Sequence, residues 1–181
     1  MTETPRRRLR YSVAMSLDGF IAGPKGEYDW IVPDPTIDFN ALFRQFDTVI
    51  MGRHTYDAML AQGHSPGVFG MRVFVASTTM QPNNHPDVTI LRFKLAEAIG
   101  ELKEQPGKDI WLFGGGILFR SLLDAGLVDT VEVSVSPVLL GTGIRLLHDG
   151  RSWPLTLQES KTLPSGILML SYRAAPLASP S

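Results

Sequence analysis

The chain has 181 residues, with a hydrophobic content of 44%, a charged content of 19% and a formal net charge of -1. This composition excludes a disordered chain and fits one globular domain with a sizeable core. Because the charge is nearly balanced, the protein as a whole is not expected to be attracted to nucleic acid or to an anionic membrane. The chain has no cysteine, which excludes disulfides and thiolate metal sites. This composition favours a cytoplasmic protein.

A cluster of arginines precedes the first predicted strand. Arginines at positions 6–8 and Arg10 lie in or next to residues 1–9, which the pattern predicts to be a flexible, solvated N-terminus; an arm that binds nucleic acid is the alternative. The apolar run "YSVAM" (11–15) predicts a strand, and glycines and prolines predict a loop through position 35. The spacing of apolar residues in "IDFNALFRQF" predicts a helix over 37–46.

The middle of the chain alternates between short apolar runs and helical patterns. The predicted strands are 48–52, 72–77, 88–92 and 109–114, and the predicted helices are 53–61, 95–105 and 117–126. Short apolar strands that are each followed by a helix or a turn are typical of a mainly parallel sheet covered on both faces. The sequence therefore predicts an α/β protein.

The last third has a different pattern. "TVEVSVSPVLL" (130–140) alternates between polar and apolar residues, and its valines are predicted to pack on the core. Two further strands, 154–163 and 167–174, are separated by "PSG", which is a hairpin signal. The sheet is therefore predicted to finish with antiparallel strands.

No repeat and no internal linker interrupts this pattern, so a single domain is predicted over residues 10–173. The small, Pro-rich end "AAPLASPS" (174–181) predicts a disordered tail. No apolar run approaches the ~18 residues of a membrane span. We therefore expect neither a membrane partner nor a nucleic-acid partner.

Three predicted strands end in residues that suit phosphate binding. "GRHT" (52–55) opens a helix, whose free N–H groups and partial positive charge attract anions. Hydroxyl side chains at 77–79 follow the next strand, and the glycine triplet at 114–116 stands between a strand and a helix. Ligands bind at the carboxyl ends of the strands in such a sheet, so a ligand with more than one phosphate is predicted there.

Each of these signals has a structural alternative. A glycine triplet is also typical of a tight turn from strand to helix, and Thr55 is also suited to cap its helix. The hydroxyl residues at 77–79 also fit an ordinary loop, and His54 fits a surface histidine. The four histidines have no metal-binding spacing, so no metal site is predicted. The glycines form neither a P-loop nor a G-x-G-x-x-G fingerprint.

Taken in order, these segments resemble the dihydrofolate reductase fold. More narrowly, the sequence is similar to the reductase domain of bifunctional riboflavin-biosynthesis deaminase-reductases, over roughly residues 10–173. The residues that carry the resemblance are "SLDGFIA" (16–22), "DW" (29–30), "VIMGRHTY" (49–56), "VFVAST" (73–78) and "IWLFGGG" (110–116). The resemblance implies a three-layer α/β fold, with a mainly parallel central sheet, antiparallel C-terminal strands and helices on both faces.

The resemblance implies NADPH as the cofactor. In this family the glycine-rich turn lets the backbone approach the pyrophosphate, and the first Gly–Gly peptide is often cis. Backbone groups of Ala14 and Ile21 would meet the nicotinamide carboxamide, and Arg53 would bind the 2′-phosphate. The implied cofactor-binding residues are Ala14, Ile21, Gly52, Arg53, His54, Thr55, Ser77, Thr78, Gly114, Gly115, Gly116, Ile117 and Leu118.

On the substrate side, folate reductases carry a buried acid on the first helix that supports protonation. Asp38 is the best match and Asp34 is the fallback; a surface charge favoured by the helix dipole is the alternative for Asp38. In an apolar pocket the pKa of Asp38 would be raised, as suits a catalytic acid. The implied substrate-binding residues are Asp18, Trp30, which would form an aromatic wall, Phe39 and Phe113.

The sequence departs from the riboflavin-pathway pattern. Those reductases commonly have a Glu before the glycine pair, whereas Phe113 or Gly114 stands here. The preferred hypothesis is a stand-alone NADPH-dependent reductase of a small heteroaromatic (pyrimidine- or pterin-like) or carbonyl substrate. The alternatives are 5-amino-6-(5-phosphoribosylamino)uracil reductase and, in another class, a non-catalytic NADP(H)-binding protein. The resemblance also implies a homodimer formed through the C-terminal strands.

Overall fold

Strands dominate the part of the chain that the computed structural model describes, residues 6–175. The strands are β1 (Leu9–Ser16), β2 (Phe20–Ala22), β3 (Phe46–Gly52), β4 (Arg72–Ala76), β5 (Thr89–Leu91), β6 (Asp109–Gly114), β7 (Thr130–Ser136), β8 (Ile144–Arg145), β9 (Leu155–Thr162) and β10 (Leu168–Ala174). The α-helices are α1 (Phe39–Phe43), α2 (Arg53–Ala61), α3 (Leu95–Glu104) and α4 (Gly116–Asp124). Short 3₁₀ turns occupy Pro66–Phe69 and Pro82–Asn84. Among these helices none is long and apolar enough to cross a membrane.

Eight of the strands form one sheet in the order β5-β4-β3-β6-β1-β7-β10-β9. The pairs from β5 to β7 are parallel, whereas β10 runs antiparallel to both β7 and β9. The remaining two strands, β2 and β8, form a small antiparallel pair. The predicted fold class, a mainly parallel sheet with antiparallel C-terminal strands, is therefore confirmed.

Two hydrophobic clusters show that both faces of this sheet are covered. Ile50 belongs to the cluster that contains residues of α3 and α4, whereas its neighbours Val49 and Met51 belong to the cluster that contains residues of α2. Successive side chains of a strand point to opposite faces. The alternation therefore places α3 and α4 on one face, and α2 with the partly buried residues of α1 on the other.

The predicted and observed elements agree most closely in the middle of the chain. The helix Arg53–Ala61 and the strand Asp109–Gly114 have the predicted bounds. The predicted helix over 37–46 is shorter in the structure, because Phe46 already begins β3 and is only 3% exposed. The two short strands of the small antiparallel pair were not predicted, since segments of three and two residues carry little periodicity.

The N-terminal arginines are not all solvated, and that prediction is wrong for Arg7 and Arg10. Arg7 is 2% exposed and donates hydrogen bonds to Asp47 and Thr48. Arg10 is 7% exposed and pairs with Glu132. Buried cations persist when carboxylates and hydrogen-bond acceptors surround them. Of the predicted flexible segment, residues 1–5 lie outside the described part.

The C-terminal prediction also needs a small correction. Ala174 is the last residue of β10, is 8% exposed, and donates its N–H to the carbonyl oxygen of Asp129. The backbone therefore stays in the sheet one residue beyond the predicted domain end at position 173. Positions 176–181 of the predicted tail lie outside the described residues.

Candidate functional site

A cavity of about 1490 Å³ lies at the carboxyl ends of the parallel strands. Parallel strands end at the same edge of a sheet, so the residues that follow β3, β4 and β6 meet there. All the residues predicted from the resemblance to bind the cofactor line this cavity: Ala14, Ile21, Gly52, Arg53, His54, Thr55, Ser77, Thr78, Gly114, Gly115, Gly116, Ile117 and Leu118. The structure thus brings these residues together, and their role in binding a cofactor stays a prediction.

Two helices begin at this cavity without a side-chain cap. Gly52 is the N-cap of α2 and Gly115 is the N-cap of α4, and no capping side chain bonds either helix end. A Cβ atom placed on Gly52 would lie 4.0 Å from the backbone nitrogen of Gly115, so the two turns are neighbours. Uncapped helix N-termini present free N–H groups and a partial positive charge. The arrangement suits an anion with several phosphate oxygens.

The glycine triplet lies against neighbouring elements. The peptide between Gly114 and Gly115 is cis, which confirms the expectation from the resemblance. The φ angle of Gly114 is 154°, in a region that side chains rarely allow. A Cβ atom at Gly116 would lie 2.5 Å from the carbonyl oxygen of Arg145. Bare backbone is therefore required at Gly114 for its conformation and at Gly116 for its packing.

Arg53 lies at the start of α2 and borders the cavity. It donates a hydrogen bond to the hydroxyl of Thr79, and its Nε lies 3.2 Å from Asp57 Oδ2. Its side chain remains 45% exposed, so a ligand can reach it. This position agrees with the predicted contact to a phosphate.

Arg92, which the sequence analysis missed, borders the same end of the cavity. It directly follows β5, and its Nη2 donates 3.2 Å to the carbonyl oxygen of Thr78. Its Nε is buried and, within residues 6–175, has no hydrogen-bond partner. A basic residue directly after a further parallel strand was the available signal. Arg92 supplies a second cation beside the predicted one.

Four aromatic rings form a continuous wall of the cavity. Phe39 and Phe43 lie 6.1 Å apart between ring centroids, Phe43 and Trp111 5.4 Å, and Trp111 and Phe113 5.0 Å. All four residues border the cavity, and Phe39 is 53% exposed. Phe39 and Phe113, which were predicted to bind the substrate, thus both border the cavity, and their role stays a prediction. Such a wall can stack on a flat ring.

Trp30 is not part of this wall, which corrects the predicted aromatic contact. Its Nε1 donates 3.0 Å to the carbonyl oxygen of Glu27, and the residue does not border the cavity. Its indole N–H is satisfied within its own loop. Trp111 occupies the position in the wall that was expected for Trp30. It is held there by a 2.9 Å hydrogen bond from its Nε1 to the carbonyl oxygen of Ser12.

Asp38 lies at the surface, so the predicted position in an apolar pocket is wrong. It is the N-cap of α1, and its Oδ1 accepts a 2.9 Å hydrogen bond from the backbone nitrogen of Ala41. The first turn of a helix leaves N–H groups without partners, and an aspartate before it satisfies one of them. Asp38 is therefore a surface charge at the start of a helix, which was the alternative to a catalytic acid. It is exposed and does not border the cavity.

Asp34, the fallback acid, is 5% exposed and does border the cavity. Its carboxylate accepts hydrogen bonds from the backbone nitrogen of Ser165 at 3.1 Å and from the backbone nitrogen of Thr36 at 2.8 Å. Hydrogen bonds from Ser165 and Thr36 lower the pKa of Asp34, because they favour its charged form. This shift is opposite to the raised pKa expected for a catalytic acid.

Asp18 also has a structural position, which corrects its predicted contact with the substrate. Its carboxylate accepts hydrogen bonds from the hydroxyl of Ser16 at 2.6 Å and from the backbone nitrogens of Leu140 at 3.0 Å and Gly141 at 2.7 Å. The bond from Ser16, supported by those of Leu140 and Gly141, lowers the pKa of Asp18 to about 2. The residue ties the loop after β1 to the loop after β7 and does not border the cavity.

Glu132 borders the cavity and was not predicted. Its Oε1 lies 2.7 Å from Arg10 Nε and its Oε2 2.9 Å from Arg10 Nη2, and Thr130 donates a further hydrogen bond of 2.9 Å. The polar positions of the alternating segment 130–136 were the available signal. The partner Arg10 could not be identified, because 122 positions separate the two residues.

Three of the histidines, His54, His64 and His148, border the cavity at separate points. His64 Nε2 lies 3.3 Å from the hydroxyl of Tyr28, which links the loop before α1 to the end of α2. In the part of the chain that the structure describes, no group of three or more His, Asp or Glu side chains is arranged to hold a metal ion.

Comparisons with known proteins give a family and a fold. The model of the RibD C-terminal domain matches residues 7–169. The Bacillus subtilis protein YyaP is 32% identical over 179 residues, which cover 92% of this chain and 95% of YyaP. RibD of Corynebacterium ammoniagenes is 28% identical over 160 residues, and the match covers 78% of this chain but only 46% of that protein.

Solved structures with the same fold include named reductases. A Shewanella sp. PV-4 protein named for riboflavin biosynthesis has a TM-score of 0.80 at 28% identity, covering 93% of this chain and 99% of its own. The Thermotoga maritima deaminase/5-amino-6-(5-phosphoribosylamino)uracil reductase has a TM-score of 0.68 at 18% identity, covering 94% of this chain and 57% of its own. Dihydrofolate reductase from Enterococcus faecalis, complexed with NADP(H), has a TM-score of 0.66 at 16% identity, covering 92% and 96%. The last two similarities concern the fold.

Proposed function

The chain belongs to the RibD C-terminal domain family, and from that premise we propose that it is an NADPH-dependent reductase of a small heteroaromatic or carbonyl-bearing substrate. The observation that carries the proposal is the meeting of two uncapped helix N-termini, those of α2 and α4, at one cavity. Proteins that share its fold include a deaminase/5-amino-6-(5-phosphoribosylamino)uracil reductase and a dihydrofolate reductase complexed with NADP(H).

The chemistry of the cavity fits NADPH. The helix N-termini at Gly52 and Gly115 would receive the pyrophosphate oxygens, and Arg53 and Arg92 would face the 2′-phosphate. The Nε of Arg92, which is buried without a hydrogen-bond partner among the described residues, favours an anionic ligand at that end. Leaving a buried guanidinium nitrogen without an acceptor costs free energy of folding. Backbone groups of Ala14 would meet the nicotinamide. NADPH, when bound, supplies the hydride.

The residues of this chain would act by binding and positioning. The aromatic wall of Phe39, Phe43, Trp111 and Phe113 would hold a flat substrate ring and keep water from it. Two carboxylates that border the cavity, the buried Asp34 and the partly buried Glu132, are engaged in hydrogen bonds. We therefore assign the rate enhancement to orientation in a mostly apolar cavity and assign no side chain as general acid.

A non-catalytic NADP(H)-binding protein is the second candidate. The exposed position of Asp38 favours it, because this aspartate is not at the cavity to protonate a ring nitrogen. The two candidates differ in a single measurable property. A reductase consumes NADPH only when a substrate is added, whereas a binding protein holds NADPH and leaves it unchanged.

The experiment that tests the proposed function has two steps. NADPH and NADH are first titrated against the protein, and the proposal expects binding with a preference for NADPH. NADPH-saturated protein is then offered a panel of pyrimidines, pterins and small carbonyl compounds, and NADPH absorbance is followed. Turnover with one member of the panel supports the reductase. Tight NADPH binding without turnover of any member favours the non-catalytic alternative, and failure to bind NADPH overturns both.

We also propose a homodimer formed through the C-terminal strands. All eight residues of the edge strand β9 are exposed, among them Leu155 and Leu157, which are 39% and 52% exposed. Their partners in the register, Ala174 and Tyr172, belong to the core cluster or pack against it. An uncovered edge strand with an apolar face is a template for association. A second copy of the chain would cover it.

A further inference from the structure

Charged side chains around the cavity are separated by sign. Its two arginines, Arg53 and Arg92, follow β3 and β5 at the end assigned to the cofactor. Of its three carboxylates, Glu132 belongs to β7 and Asp34 is bonded to Ser165 in the turn between β9 and β10, whereas Asp29 lies in the same loop as Asp34. Among the residues that the structure describes, no lysine and no other arginine borders the cavity. We call the end of the cavity next to β7 and the β9–β10 turn the substrate side; among the described residues it has carboxylates and neither an arginine nor a lysine that borders the cavity.

Arg10 of β1 is bonded to Glu132, and its side-chain donors are already used within the protein. It is 7% exposed and does not border the cavity. Its Nε and Nη2 donate to Glu132, and its Nη1 donates to Gln45 at 2.7 Å and to Asp109 at 3.2 Å. Each of its three nitrogens thus has an acceptor within the protein. Arg10 neutralises Glu132 and is not available to a ligand.

Resting on the proposed reductase function, we infer that the substrate is a planar ring compound without a phosphate or other anionic group. A phosphate next to Asp34 would meet a like charge and neither an arginine nor a lysine, which costs binding free energy. The wall from Phe39 to Phe113 favours a flat, uncharged ring in the same space. The inference separates this chain from a reductase of a phosphoribosyl compound.

Matched pairs of ligands test the inference. The first pair is 5-amino-6-(5-phosphoribosylamino)uracil and its phosphate-free counterpart; the second is flavin mononucleotide and riboflavin. Each ligand is titrated by calorimetry against the protein, once with saturating NADPH and once without it. We expect the phosphate-free member to bind at least about tenfold more tightly in each pair that binds, because like-charge contacts are unfavourable.

A charge reversal at the substrate side provides the matched variant. Asp29 is exposed, borders the cavity and has no hydrogen bond among those that the structure describes, so Asp29→Lys changes charge with little effect on the fold. This variant should reduce the discrimination against the phosphorylated member severalfold. Asp87→Lys is the control, because Asp87 is exposed and lies outside the cavity. It should leave the discrimination unchanged.

The outcomes separate this inference from the proposed function. Equal or tighter binding of the phosphorylated members overturns the inference even if NADPH is bound and consumed. Failure of every phosphate-free member to bind also overturns it. If NADPH does not bind, the proposed function fails, while titrations without the cofactor still report which member of each pair the substrate side prefers. An equal response of the two lysine variants would contradict the role given to Asp29.

Discussion

The backbone nitrogen of Ser165 donates a 3.1 Å hydrogen bond to Oδ2 of Asp34, and 131 positions separate the two residues. The bond joins the loop before α1 to the turn between β9 and β10. Thr36 holds the other carboxylate oxygen through its backbone nitrogen at 2.8 Å. The loop that borders the substrate side of the cavity is thus held by an ionised aspartate.

The first prediction concerns the pH dependence of this contact. Hydrogen bonds from Ser165 and Thr36 lower the pKa of Asp34 in the folded state. The stabilisation is therefore fully present above the ordinary pKa of an aspartate and is lost as the pH falls through the lowered value. Asp34→Ala should destabilise the protein at neutral pH, and the difference from wild type should shrink in acid. Urea denaturation of both proteins at neutral and at acidic pH measures this difference in the free energy of unfolding.

Asp87→Ala is the control for this measurement, because Asp87 is exposed and lies outside the contact. Its effect on the urea midpoint should be small at both pH values. A destabilisation by Asp34→Ala that stays constant from neutral pH into acid would show that the carboxylate charge is not what holds the loop.

The second prediction concerns the two arginines at the cofactor end. Arg53→Ala and Arg92→Ala should each weaken NADPH binding about tenfold or more while changing NADH binding little, because each removes a charge-assisted contact to the 2′-phosphate. Fluorescence titration with both cofactors measures the ratio. Arg44→Ala is the matched control, since Arg44 is exposed and outside the cavity. Equal losses for NADPH and NADH would remove the 2′-phosphate assignment.

The third prediction separates two glycines of the triplet. Gly115→Val should abolish NADPH binding in a folded protein, because the side chain would occupy the space proposed for the pyrophosphate. The φ of Gly115 is -102°, which valine can adopt, whereas the positive φ of Gly114 disfavours any side chain. Gly116→Ala should lower the free energy of unfolding by about 1–3 kcal/mol, since its Cβ would lie 2.5 Å from the carbonyl oxygen of Arg145.

Circular dichroism and denaturant unfolding, followed by cofactor titration, distinguish the two effects. A folded Gly115→Val protein that binds NADPH normally would leave the triplet as a turn between β6 and α4. Unchanged stability of Gly116→Ala would show that the loop around Arg145 can move away without cost.

Local signals in the sequence predicted the central elements and the residues after β3, β4 and β6 that meet at the cavity. Helix Arg53–Ala61 follows from a strand, a glycine and an apolar spacing that are adjacent in the chain. The substrate side could not be predicted in the same way. The positions of Asp18 and Asp34 depend on backbone nitrogens more than 120 positions away, Leu140 and Ser165, and no local pattern indicates those partners. Hydrogen bonds made across the fold decided which acids border the cavity.

The fourth prediction follows from the corrected position of Asp38. Asp38→Asn should keep the helix cap and leave turnover unchanged, because asparagine caps a helix as well as aspartate. Asp38→Ala should lower the free energy of unfolding by about 1 kcal/mol through loss of the cap, again without a change in turnover per folded molecule. Denaturant unfolding and steady-state kinetics measure the two effects. A roughly 10²-fold loss of turnover in Asp38→Asn would instead support a catalytic acid.

The fifth prediction concerns assembly through β9. The wild-type protein should sediment at micromolar concentration with about twice the chain mass of 19.9 kDa. Leu157→Lys should shift it towards the monomer, because a lysine at the centre of an apolar contact loses its solvation on association. Analytical ultracentrifugation over a range of concentrations measures the shift.

Thr156→Lys is the control for this variant, because Thr156 lies on the same strand and points to the opposite face of the sheet. A dimer that uses the apolar face of Leu155 and Leu157 should tolerate this lysine better than the one at Leu157. Equal dissociation by both lysines would indicate pairing through the strand edge rather than through its apolar face. If the wild-type protein sediments as a single species of about 20 kDa, β9 is not covered by a second copy and the homodimer is contradicted.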